Sequence, residues 1–72
     1  MPLYTFYPTR PDGLAPSFEA TDCASDAIAV TRAIEVLVEH PGASHVVVWQ
    51  GQRCVMTFPR GGPPQRRPRR AH

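Results

Sequence analysis

The stretch from Thr21 to Gly42, TDCASDAIAVTRAIEVLVEHPG, constrains this chain more than any other, because both its ends are marked and an apolar stripe runs between them. Asp22 is a suitable N-cap, since its carboxylate can accept a hydrogen bond from a first-turn backbone N–H, and Asp26 adds negative charge at the positive end of the dipole. At 100° per residue Cys23, Ala27, Val30, Ile34, Leu37 and Val38 share one side, with Ser25, Arg32, Glu35 and Glu39 on the other. His40 suits a helix C-terminus, Pro41 disfavours helical geometry in the residue before it, and Gly42 frees the chain to turn. The pattern predicts one amphipathic helix of about four turns.

The flanking segments must supply what that helix packs against. Leu3–Tyr7 alternates Leu3, Thr5 and Tyr7 against Tyr4 and Phe6, as a strand does, and Pro8 is expected to stop it. Pro8, Pro11 and Pro16 around Asp12-Gly13 make a stiff loop with a turn signal. Residues 17–21 then form a short strand, with Phe18 and Ala20 on one face and Glu19 and Thr21 on the other. After the helix, 44–49 and 52–58 read as a second hairpin about Gln50-Gly51, where the glycine supplies a positive φ. A two-residue loop places Val47 opposite Cys54; a three-residue loop places Trp49 opposite Arg53.

The expected architecture is therefore α+β, in the order ββαββ: a four-stranded, mainly antiparallel sheet with one helix on one face. One helix covers one side only, yet Val46-Val47-Val48-Trp49 is apolar at every position and offers side chains to both. Ile28 and Val36 also lie off the helix's core stripe. Ile28, Val36, Val47 and Trp49 are thus the expected interface residues, because apolar surface left over after folding marks association sites.

Residues 1–58 form the expected domain and carry three arginines against six carboxylates, a net charge of −3. Residues 59–72, PRGGPPQRRPRRAH, hold five arginines and no acid, a net charge of +5, with four prolines and no apolar period, so disorder is expected there. Arg66, Arg67, Arg69 and Arg70 are the candidates for binding nucleic acid through its phosphates, or an acidic protein surface. The plain alternative is a solvated tail from a GC-rich coding sequence, which the complete lack of lysine also fits.

No catalytic constellation is visible. A nucleophilic serine needs an oriented base, which nothing in the sequence supplies for Ser25, and capping accounts for Asp22 and Asp26. Cys23 and Cys54 form no CxxC pair, and with His40 and His45 their spacing does not suit zinc; no cofactor and no metal are expected. No run of about 20 apolar residues and no secretory leader is seen, so the expected setting is cytosolic.

With those residues placed, Tyr4-x-Phe6, the Asp12-Gly13 turn, Phe18-Glu19-Ala20, Leu37-x-Glu39-His40-Pro41-Gly42 and Val46-x-Val48-Trp49-x-Gly51-x-Arg53 together resemble a family of short bacterial domains of unknown function, abundant in GC-rich alphaproteobacterial genomes. The resemblance covers residues 3 to about 58; it implies a small α+β fold in the cytosol and no activity or cofactor. A looser similarity is to HicB-type antitoxins, which bind a small toxic ribonuclease and often DNA, although this chain lacks their third strand before the helix and their helical DNA-binding segment. The functional expectation is a non-enzymatic module that self-associates or binds a protein, with the arginine tail adding electrostatic affinity. Nucleic-acid binding through that tail and an antitoxin role are the alternatives.

Overall fold

The computed structural model describes residues 2–61 and 65–66. Strands β1 (Leu3–Thr9) and β2 (Glu19–Asp22) precede helix α1 (Asp26–Glu39), and β3 (His45–Gln50) and β4 (Arg53–Pro59) follow it. The expected ββαββ order in an open antiparallel sheet with one helix is what the chain adopts. A two-residue strand, β5 (Gln65–Arg66), is added beyond β4, so the described sheet runs β2-β1-β3-β4-β5. The body accordingly extends past the expected boundary at Phe58: β4 runs to Pro59, Arg60 is bonded into the domain, and Gln65–Arg66 pairs with β4. Arg67, Arg69 and Arg70 lie outside the described residues.

Three local expectations are corrected, each for a physical reason. Pro8 does not end β1 but sits within it, opposite Val46. Strand carbonyls alternate sides, and the Thr9 carbonyl accepts from Ser44 N on the β3 side. The missing Pro8 N–H therefore faces the other edge, where β2 pairing has already stopped at Phe6–Glu19, and no ladder bond is lost. Asp22 is not the N-cap, because β2 runs through it and pairs it with Leu3. Ser25 caps instead, its Oγ accepting from Ile28 N at 3.3 Å. The second hairpin turns on Gly51-Gln52, one residue later than Gln50-Gly51. With positive φ at Gly51 (+61°) and none at Gln52, the turn has the type II′ pattern. A bulge between Val48 and Trp49 then leaves Val55 as the extra residue, so Trp49 faces Cys54 and Val47 faces Thr57, which neither expected register gave.

The helix also presents a different side to the sheet. Ala29, Ala33, Val36 and Leu37 are buried, whereas Ile34 and Val38, expected inside, are 46% and 73% exposed, and Ala27 faces solvent with them. Val36, expected at the interface, is fully buried in the core and is withdrawn from that set; Ile28 is exposed as expected. The core opposite α1 is Tyr4, Phe6, Val46, Val48, Met56 and Phe58, with Val55, Cys23 and Ala43 completing it. Two buried alanines, one turn apart, let the helix settle close to the sheet, where Ile34 would hold it away. Polar contacts select the same rotation: the Tyr4 hydroxyl donates to Asp26 Oδ1 at 2.6 Å, and Arg32 reaches Glu19 on β2. Hydrogen bonding to Asp26 first, then burial, pushes the Tyr4 phenol above its ordinary pKa.

Arg60 closes the far end of the helix. Its guanidinium donates to the carbonyls of Leu37, His40 and Ala43, each at 2.9 Å, adding a second bond at Leu37 and His40, which already accept from His40 N and Ala43 N. Replacing Arg60 with Ala is expected to cost about 1–2 kcal/mol, the range for charge-assisted bonds at a part-exposed site. Urea unfolding measures this, and an unchanged midpoint would show the clamp to be idle.

Candidate interaction surface

Strand alternation puts the core residues on one side of the sheet and aims a second set at the other. On β1 that second set is Leu3, Thr5 and Tyr7; on β3 it is His45, Val47 and Trp49. Cross-strand pairing joins Thr5 to Trp49 and Tyr7 to Val47, then Val47 to Thr57 and Trp49 to Cys54 on β4. Phe18, just before β2, stacks beside Tyr7 with ring centroids 5.9 Å apart and planes tilted by 45°. No described helix lies over this side: α1 packs on the opposite one.

The result is an open groove of about 650 Å³ lined by Thr5, Tyr7, Thr9, Val47 and Trp49, with Gly13 at one end and Gly51-Gln52 at the other. The loop after β1 contributes Gly13 to the lining. It is held by Arg10 N to Leu14 O and Gly13 N to Arg10 O, both 2.8 Å, and by Leu14 N to Asp12 Oδ1 at 2.9 Å. Thr9 is buried, while Tyr7, Val47 and Trp49 stay part-exposed and Phe18 is 67% exposed. None of the groove-lining residues carries a formal charge. Such a wall can hold apolar or aromatic surface, with the Thr5, Tyr7 and Thr9 hydroxyls and the Gln52 amide as its polar groups.

Of the expected interface residues the structure therefore brings Val47 and Trp49 together, leaves Ile28 on the far side on the exposed part of α1, and buries Val36. Arg66 pairs through its backbone with Met56. Thr5 and Phe18 carry no surface expectation from sequence, although the alternation that places them is legible there.

Charge is gathered on the helix side. Arg32 forks onto Glu19 and also reaches Glu35 at 2.9 Å and Glu39 at 3.3 Å. The bonds to Glu19 dominate in holding the Arg32 guanidinium protonated, and the same bonds hold the Glu19 carboxyl below its ordinary pKa against the opposing effect of burial. A depressed carboxylate contributes stability that is present above its unfolded pKa and is lost as the pH falls through the folded value. Wild-type stability is thus expected to fall as the pH drops below about 4.5. Glu19→Gln should lose stability at neutral pH and show a shallower acid limb in urea titrations at several pH values. Parallel limbs would detach Glu19 from acid unfolding.

Other arrangements carry less. A smaller hollow of about 290 Å³ lies among Pro8, Pro16, Ser17, Pro41 and Ala43, and the charged and imidazole groups on its rim are already engaged: Glu39 with Arg32, Arg10 with Asp12, and His40 Nδ1 with the Val36 carbonyl. Ser44 Oγ stands 2.8 Å from His45 Nδ1, but no carboxylate among the described residues orients that ring, so the pair lacks the third member of a hydrolytic relay. Both cysteines are free; burial pushes the Cys23 thiol up and makes it inert, while Cys54 is part-exposed beside Trp49. Among the described residues no three His, Cys, Asp or Glu side chains gather as a metal would need, and no helix is long and apolar enough to cross a membrane. No family model matches the chain, and neither a curated protein nor a solved structure does.

Proposed function

We propose that this protein is a non-enzymatic interaction module that docks an apolar protein surface, its own or another's, on the open face of its sheet. One observation carries the reading: a whole sheet face, with Tyr7, Val47, Trp49 and Phe18 on it, is left uncovered by the helix and carries no charge in its groove. Part-exposed aromatic and aliphatic groups that converge on one uncharged patch, beside the exposed Phe18, are the composition of an interface centre. The arginines at 66, 67, 69 and 70 add long-range attraction toward an acidic partner.

A second reading has its own support. Tyr7, Phe18 and Trp49 place three aromatic rings on one sheet face, and single-stranded nucleic acid is bound by stacking on such rings. The absence of cations from the groove counts against it, since phosphate neutralisation would fall entirely to the tail. A HicB-like role is a special case of protein docking in which the partner is a small toxic ribonuclease.

Cross-linking followed by affinity purification from the native cell, with the full chain and with Trp49→Asp, separates these readings. Docking on the open face predicts that the wild type holds protein, either further copies of itself or another chain, and that Trp49→Asp loses it. Retention of nucleic acid alone, with a strong salt dependence that vanishes on removing residues 67–72, would replace this reading with the second.

A further inference from the structure

We infer that the occupant of the open face is a second copy of the same chain, the two sheets packing face to face about a twofold axis that passes close to Val47. This inference rests on the reading of that face as a docking surface and names its partner.

Size is the first argument. The 26 residues of the five described strands, each covering about 4.8 by 3.3 Å, give a projected area on the order of 400 Å². Side-chain relief raises the accessible area toward the roughly 600 Å² per partner at the lower end of stable interfaces. The other exposed apolar strip, Ala27, Ile28, Ile34 and Val38 on α1 with the polar Thr31 among them, is about 18 Å long and one to two side chains wide, the smaller of the two surfaces. Of the two uncovered apolar surfaces, the sheet face comes nearer the area a self-contact needs.

Charge is the second argument. In a twofold contact each surface meets itself, so any net charge near its centre would be opposed by its own image. The sheet face satisfies that condition: the groove is uncharged, with Asp22 and His45 on peripheral positions of β2 and β3. The helix side does not, because Glu35 and Glu39, about half exposed beside Arg32, would confront their own copies.

Position is the third. β3 is the central strand of the described sheet, and Val47 is its middle residue on the open side, flanked by Tyr7 on β1 and Thr57 on β4. In aligned sheets about 10 Å apart, the two Val47 side chains approach each other across the axis while the Trp49 rings fill space to either side.

Charge-reversal mixing tests this directly. The full chain is examined by sedimentation equilibrium as wild type, as Val47→Asp, as Val47→Lys, and as an equimolar mixture of the two variants, with far-UV circular dichroism confirming that each is folded. Binding of the dye ANS and the rate of Cys54 alkylation report on access to the same face. The expected result is twice the single-chain mass for the wild type, the single mass for each variant alone, and the double mass again for the mixture, where Asp meets Lys across the axis. Cys54 should be alkylated several-fold faster in the variants than in the associated wild type. A monomeric wild type that binds ANS, with binding lost in Val47→Asp, would overturn the second copy as occupant yet leave the docking face standing. A double mass untouched by either Val47 variant but abolished by Val38→Asp would overturn both.

Discussion

A carboxylate placed at position 36 unfolds the protein, whereas the same change two residues on, at position 38, leaves it folded. Val36 is completely buried against the sheet and Val38 is 73% exposed, so Val36→Asp asks the core to take an unpaired charge while Val38→Asp asks only the solvent. The first costs several kcal/mol, against a total of roughly 3–9 kcal/mol for a domain of this size, and the second stays within about 0.5 kcal/mol. Thermal unfolding followed by circular dichroism is sufficient to see it. The comparison is informative because hydrophobic periodicity alone assigns the two residues the other way round: Val38 on the core stripe and Val36 off it. A stable Val36→Asp beside an unfolded Val38→Asp would mean that α1 is rotated by roughly half a turn from the arrangement described.

Phe6 and Tyr7 form the second such pair, on a strand instead of a helix. Phe6 is fully buried, opposite Val48 on β3 and beneath the helix; Tyr7 is its neighbour on the open side. Phe6→Ala removes a ring from the middle of a small core and leaves a cavity that the surrounding strands cannot close, at about 3–5 kcal/mol, enough to leave little folded protein at 37 °C. Tyr7→Ala, which removes an aromatic ring of similar size one residue away, is expected to cost about 1 kcal/mol or less, chiefly the lost contact with Phe18. Its larger effect falls on association, which should weaken at least tenfold. Urea midpoints and concentration-dependent sedimentation, taken on both variants, separate the two roles. Equal losses of stability would show that the face called open is in fact part of the core.

The two pairs also mark how far local pattern carries. Along a strand the side chains simply alternate, so Phe6 and Tyr7 must face opposite ways whatever the sheet does, and the face bearing Leu3, Thr5 and Tyr7 was legible before any tertiary contact was known. Around a helix the pattern is continuous, and α1 has apolar residues on most of its circumference: Ile28, Ile34 and Val38 as well as Val36 and Leu37. A helix of that kind has no unique inward side until it meets its sheet. The side it takes is set by the close approach to the sheet that Ala29 and Ala33 permit, by Arg32 closing on Glu19, and by Tyr4 bonding Asp26, the polar pairs being at least 13 positions apart.

Element order, the antiparallel hairpins and the presence of one helix for a sheet with two faces were determined by short-range chemistry: side-chain alternation, capping residues, glycine at a turn. Those are properties of a few neighbouring residues, and neighbours in sequence are always neighbours in space. Strand order, the bulge that turns Trp49 toward Cys54, the clamp from Arg60 to the helix end and the choice of Val36 over Val38 for the core were decided only by tertiary structure. Each depends on which distant surfaces fit together at close packing and which buried polar groups find partners, and local periodicity contains neither quantity.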